Sequence, residues 1–91
     1  MNQHIKTKNV RGEDIEFYIF GINGDFIRDI DNYSNKKFDW PDDLSDVSVM
    51  LTISKNDDTW FYISNNEKLL FCGVWDLPLP NITKDCETVE I

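Results

Sequence analysis

The stretch "VSVMLTIS", residues 47–54, decides the fold. Its apolar residues Val47, Val49, Leu51 and Ile53 alternate with the mostly polar series "SMTS" at 48, 50, 52 and 54. Successive side chains of a strand point to opposite faces of the sheet, so this alternation predicts a β-strand with one buried face.

Two further strands are predicted downstream. The turn-forming stretches "KNDD" (55–58) and "NNEK" (65–68) separate 47–54 from "TWFYIS" (59–64) and "LLFCGVW" (69–75). β-Branched and aromatic residues between turns at this spacing are typical of an antiparallel meander.

Upstream, "IKTKNV" (5–10) and "DIEFYIFGI" (14–22) predict two more strands, the second with Ile15, Phe17 and Ile19 on one face. The C-terminal "DCETVEI" (85–91) either adds a sixth strand or frays.

Residues 23–35 permit two structures. Asn23-Gly24 is a strong hairpin signal, because both residues tolerate positive φ. Phe26, Ile27, Ile30 and Tyr33 instead recur at helical spacing after Asp25, which could cap a helix. The alternatives stay open, and a helix here would cover one face of the sheet.

The expected fold is a single domain over 1–91, α+β but mostly β, with an antiparallel sheet of about five to six strands and at most one short helix. Large side chains occur on both sheet faces, with Trp60 and Tyr62 opposite Phe61 and Ile63. We expect the second face to be covered; if it is not, it forms an exposed aromatic patch of the kind that marks an interface. The expected core is Phe17, Ile19, Val47, Val49, Leu51, Ile53, Phe61, Ile63 and Phe71.

The net charge limits the kinds of partner that we expect this protein to bind. The chain of 91 residues has 17 acidic and 9 basic residues and a formal net charge of −8. Such a field repels nucleic acids and anionic membranes, so neither is an expected partner. The first residues lack the apolar segment of a signal peptide, so we expect a cytoplasmic protein in which Cys72 and Cys86 are free thiols.

Catalytic, cofactor and metal motifs are not recognisable. His4 is the single histidine, and we expect it to be exposed near the chain terminus. Asp29-x-Asp31 begins like a calcium loop, but Tyr33 and Ser34 stand where a ligand and a glycine are needed. The sequence therefore predicts no enzyme, no cofactor and no metal.

The remaining feature is a concentration of acidic residues beside aromatic ones. It begins at Asp25 and continues through "FDWPDDLSD" (38–46). Carboxylates around an aromatic anchor suit the binding of a basic protein. The other reading is an ordinary solvated loop with Trp40 tucked into the core. The predicted partner-binding residues are Asp25, Asp29, Asp31, Tyr33, Asp39, Trp40, Asp42, Asp43 and Asp46.

The stretch "WPDDLSDVSVMLTIS" (40–54), followed by "LLFCGVWDLPL" (69–79), resembles small acidic bacterial immunity proteins of polymorphic toxin and contact-dependent inhibition systems. The matching residues are Asp46, Phe71, Gly73-Val74 and Asp76-Leu77, whereas Ser45-Asp46 replaces an expected His-Asp pair.

The resemblance implies an inhibitor that neutralises a cognate toxin domain, with a nuclease as the expected toxin, by occluding its basic surface. One alternative is a phage-type anti-defence protein that mimics nucleic acid. Another is a structural or regulatory subunit that pairs through an edge strand.

Overall fold

The computed structural model describes residues 2–33 and 39–91, which form one six-stranded sheet, one α-helix and one 3-10 helix. The elements are β1 (Gln3–Lys8), β2 (Asp14–Gly21), α1 (Gly24–Tyr33), β3 (Ser48–Ser54), β4 (Trp60–Ser64), β5 (Leu69–Val74), η1 (Asn81–Asp85) and β6 (Glu87–Glu90). The mostly-β α+β fold is confirmed. None of the helices in these ranges is long and apolar enough to cross a membrane.

The strands lie in the order β5-β4-β3-β2-β1-β6. Strands β1 to β5 form the predicted antiparallel meander, and the C-terminal segment adds β6 parallel to β1. Between β1 and β2 the chain turns at Gly12, whose φ of 79° is costly for residues with a Cβ. The edges of the sheet are β5 and β6.

The core lies on one face of this sheet, which we call the helix-side face. Leu51 pairs with Tyr18 and Phe61, and Val49 pairs with Phe20 and Ile63, so these side chains project together. Side chains from α1, from the segment before β3 and from the end of β5 complete the core. The buried residues are Phe20, Phe26, Ile30, Val47, Val49, Leu51, Phe61, Ile63 and Trp75.

Of the predicted core, Val47, Val49, Leu51, Phe61 and Ile63 are confirmed as buried. Two further predicted core residues are only half-buried, namely Ile53 and Phe71.

The predictions for Phe17 and Ile19 are wrong, because both lie half-buried on the other face. Large apolar residues occupy both faces of β2, so alternation alone could not orient it. The pairing of Phe20 with Val49 does.

We call the other face of the sheet the open face. Two rows of paired residues cross all six strands on this face. The first row is Val89, Ile5, Phe17, Thr52, Trp60 and Val74; the second is Glu87, Gln3, Ile19, Met50, Tyr62 and Cys72. None of these twelve residues is buried. The expectation that this face is covered is therefore wrong for the described part of the chain, where the apolar residues of the helix and loops pack on the helix-side face.

Candidate functional site

Of the two structures predicted for 23–35, the described residues form the helix, α1, which carries the first acidic stretch. The side-chain Oδ1 of Asn23 accepts a hydrogen bond from the Phe26 backbone N–H at 2.9 Å, so Asn23 caps the helix. The expectation that Asp25 is the cap is wrong; Asp25 lies in the first turn, where its charge suits the positive end of the helix dipole.

Burial of Phe26 and Ile30 fixes which side of α1 faces outward. Asp25 is exposed, and Asp29 and Asp31 are half-buried. Arg28 lies 3.2 Å from Asp25, but both side chains are exposed, so this ion pair contributes little stability.

Trp40 joins the second acidic stretch to the helix. Its indole Nε1 donates a hydrogen bond to Asp31 Oδ1 at 3.2 Å, and its half-buried ring packs against the core. The ring is therefore a structural support of the 39–47 segment more than a freely exposed anchor. The bond joins the two stretches at Asp31 and Trp40. Both stretches also pack on the helix-side face, α1 through Phe26 and Ile30 and the 39–47 segment through Trp40 and Leu44, so they lie on the same side of the sheet.

The 39–47 segment turns its apolar residues inward and its aspartates outward. Leu44 packs against the core, Val47 is buried, and the Val47 N–H donates to the Leu44 carbonyl at 3.1 Å. Asp43 accepts a hydrogen bond from the Ser45 N–H at 2.9 Å, and this bond lowers the pKa of Asp43 below its ordinary value. The exposed aspartates of the segment are Asp39, Asp42, Asp43 and Asp46.

We call the seven aspartates of α1 and 39–46 the acidic surface: Asp25, Asp29, Asp31, Asp39, Asp42, Asp43 and Asp46. Of the predicted binding residues, Trp40 supports this surface from beneath. The side chain of Tyr33 lies outside the described part of the structure. Within residues 2–33 and 39–91, no three His, Cys, Asp or Glu side chains are grouped so that they could hold a metal ion.

Sequence reasoning missed a second polar cluster, centred on His4. The prediction that His4 is exposed is wrong: it is only 9% exposed and stacks on Tyr18, with ring centroids 4.1 Å apart. Its Nε2 lies 2.7 Å from Glu16 Oε1, and its Nδ1 lies 3.0 Å from Thr88 Oγ1. His4, Tyr18 and Thr88 occupy one row of β1, β2 and β6, and the last pairing joins residues 84 positions apart.

A hydroxyl, an imidazole and a carboxylate in line resemble the arrangement used for nucleophilic catalysis. A cavity of about 410 Å³ lies nearby, between the charged ends of β1, β2 and β6. Glu16 lines it, but His4 and Thr88 do not. We therefore interpret the His4 cluster as structural: its hydrogen bonds help to hold β6 against the rest of the sheet.

The two cysteines are free. Cys86 is half-buried, and its Sγ donates to the Ile82 carbonyl at 3.6 Å. Burial, with a smaller contribution from Asp85, raises the pKa of the Cys86 thiol above its ordinary value, which disfavours the nucleophilic thiolate. Cys72 is exposed on the open face.

Comparisons with protein-family models, with curated proteins and with solved structures gave no significant match to this chain.

Proposed function

We propose that this protein is an inhibitor that binds a basic protein through its acidic surface, as an immunity protein neutralises a cognate bacterial toxin. The observation that carries the proposal is the Trp40–Asp31 hydrogen bond, which joins two separate acidic stretches on one side of the molecule. A toxin that cleaves nucleic acid needs a basic cleft for phosphates, and such a cleft is complementary to this surface.

The support beneath the acidic surface favours binding over simple solvation. Trp40, Leu44 and Val47 anchor the 39–47 segment to the core, so packed side chains hold the backbone that carries its carboxylates. A rigid surface loses less conformational entropy on binding than a mobile one. Its charges accelerate association with a basic partner by long-range steering, which salt weakens.

The role of the acidic surface can be tested with a toxin-domain protein encoded next to this gene. The two proteins are mixed in stopped flow at low and at high salt, and survival of cells that co-express them is scored. We expect a complex, rescue of growth and association that slows as salt rises. A toxin that neither binds this protein nor is neutralised by it would contradict the proposal.

Paired charge reversals locate the binding surface. Asp42→Lys with Asp43→Lys should slow association at low salt by about tenfold or more, because rim charges act mainly on the association rate. The matched control is Asp57→Lys with Asp58→Lys, an exposed adjacent pair in the β3–β4 turn. The control changes net charge equally, so an equal slowing by both variants would assign the effect to overall charge and not to the acidic surface.

A further inference from the structure

The open face differs from the rest of this molecule in its charge. Of its twelve positions across the six strands, Glu87 alone is charged, and it lies at the β6 edge. The whole chain by contrast has 17 acidic and 9 basic residues. The middle of the face is occupied by the half-buried Phe17, Met50, Trp60 and Tyr62. Aromatic residues and Met are enriched at protein interfaces, while Glu and Asp are depleted there.

The open face is large enough to reach the lower size limit of a specific interface. Six strands about 4.8 Å apart and about six residues long on average cover roughly 24 by 20 Å, or on the order of 500 Å² per copy. Two such faces in contact bury on the order of 1,000 Å², near the lower limit of about 1,000–1,200 Å² for specific association.

Charge indicates which occupant fits this face. A basic protein would be attracted to the acidic surface, which lies over the helix-side face and not here. The open face needs an occupant that is uncharged and wide enough to cover a sheet. The open face of a second copy meets both requirements, and sheets commonly pack face to face about 10 Å apart with their strands within about 30°.

We propose that two copies of this chain associate through their open faces about a two-fold axis. Contact between the two acidic surfaces would instead bring like charges together, since each copy carries a net charge of −8. In the face-to-face dimer both acidic surfaces point outward. The protein measures 26 and 25 Å along its short axes, so the two surfaces lie well beyond the Debye length of about 8–10 Å.

The mass of the wild-type chain in solution tests the dimer first. Sedimentation velocity is measured from about 1 µM to about 1 mM, a range that separates tight from weak dimers. A reductant is present, so that the exposed Cys72 cannot link two copies covalently. We expect twice the chain mass of 10.7 kDa at the upper concentrations. A monomer throughout this range would overturn the proposal.

Variants then locate the contact. Thr52→Lys places a charge at the centre of the open face, and Asn66→Lys places the same charge in the exposed β4–β5 turn. Both variants lower the net negative charge, so dissociation cannot come from stronger repulsion between copies. We expect Thr52→Lys to raise the dimer dissociation constant at least about a hundredfold, as burial of an unpaired charge requires, and Asn66→Lys to leave it within about twofold.

Circular dichroism checks that each variant folds, and Tyr62→Lys replaces Thr52→Lys if the latter does not. A dimer that persists in the folded open-face variants would overturn the proposal and indicate pairing through an edge strand, β5 or β6. The acidic-surface charge reversals should leave the dimer intact, so this test and that of the inhibitor function can fail separately.

Discussion

The two faces of the sheet are built from the same strands, yet they differ in burial and in charge. Leu51 on the helix-side face is fully buried, while its neighbour Thr52 on the open face is half-buried. Apolar and aromatic residues occur on both faces, so hydrophobicity alone does not decide which face becomes the core. The difference follows from what packs above each face, namely α1, the 39–47 segment and the chain around η1 on the helix-side face.

The charges follow the same division. The acidic surface lies above the covered face, and the open face is almost uncharged. The charged acidic surface is well solvated by water. The free energy falls, by contrast, when another surface covers the apolar side chains of the open face. The two faces therefore suit the two proposed partners, a basic protein at the acidic surface and a second copy of the chain at the open face.

Neighbouring residues of β3 provide the strongest test of the comparison. Leu51→Ala should lower the free energy of unfolding by about 2–5 kcal/mol, because it removes a fully buried side chain and leaves a cavity. Thr52→Ala should change it by about 0.5 kcal/mol or less in the monomer. Urea unfolding at low protein concentration measures both variants. Similar losses for the two would show that the open face is as tightly packed as the core.

The His4 cluster tests whether the helix-side face extends to the β6 edge. His4→Ala should cost about 1–3 kcal/mol, because it removes the stacking on Tyr18 and leaves the half-buried Glu16 without its partner. Lys6→Ala is the control from the same strand, since its ion pair with Glu90 at 3.9 Å is exposed. We expect about 0.5 kcal/mol or less for it.

Protection of β6 amides against hydrogen exchange is the second measurement for the His4 cluster. Protection should decrease in His4→Ala and persist in Lys6→Ala. Unchanged protection of the β6 amides in His4→Ala would show that the His4 cluster does not stabilise that edge of the sheet.

The strands could be predicted from the sequence because each is a local pattern. The alternation in 47–54 and the turns at 55–58 and 65–68 depend on residues that are adjacent in the chain. The orientation of β2 could not be predicted, because Phe17 and Phe20 are equally suited to a core. Only the pairing of β2 with β3, which is distant in the sequence, determines that Phe20 and not Phe17 lies in the core. Residues 23–35 were ambiguous because a hairpin signal and a helical period overlap there.

The residues of the acidic surface could be predicted from the sequence, but the contact that supports them could not. A run of aspartates is visible in the sequence, whereas the contact between Trp40 and Asp31 depends on α1 being helical. The His4 cluster could not be predicted, since it needs the parallel pairing of β1 with the last strand. Trp75 was likewise missed as a core residue: it stacks on Phe26 with ring centroids 5.3 Å apart, a contact that exists only once the helix is placed.

The smallest expected effect concerns alkaline pH at the helix-side face. Burial raises the pKa of Tyr18 above its ordinary value of 10.0 and that of Cys86 above 9.0. The folded state therefore holds these protons more tightly than the unfolded chain does. The stability contributed by the neutral groups is complete below about pH 9 and is lost as pH rises through their raised pKa values.

The Cys86→Ala variant isolates one of these two groups. The difference in urea midpoint between wild type and Cys86→Ala should be constant from pH 7 to about pH 9 and should then shift against the wild type as its thiol ionises. Tyr18→Phe should show the same trend from about one pH unit higher, because an ordinary phenol titrates near pH 10. Differences from wild type that stay constant up to about pH 11 for both Cys86→Ala and Tyr18→Phe would contradict this prediction.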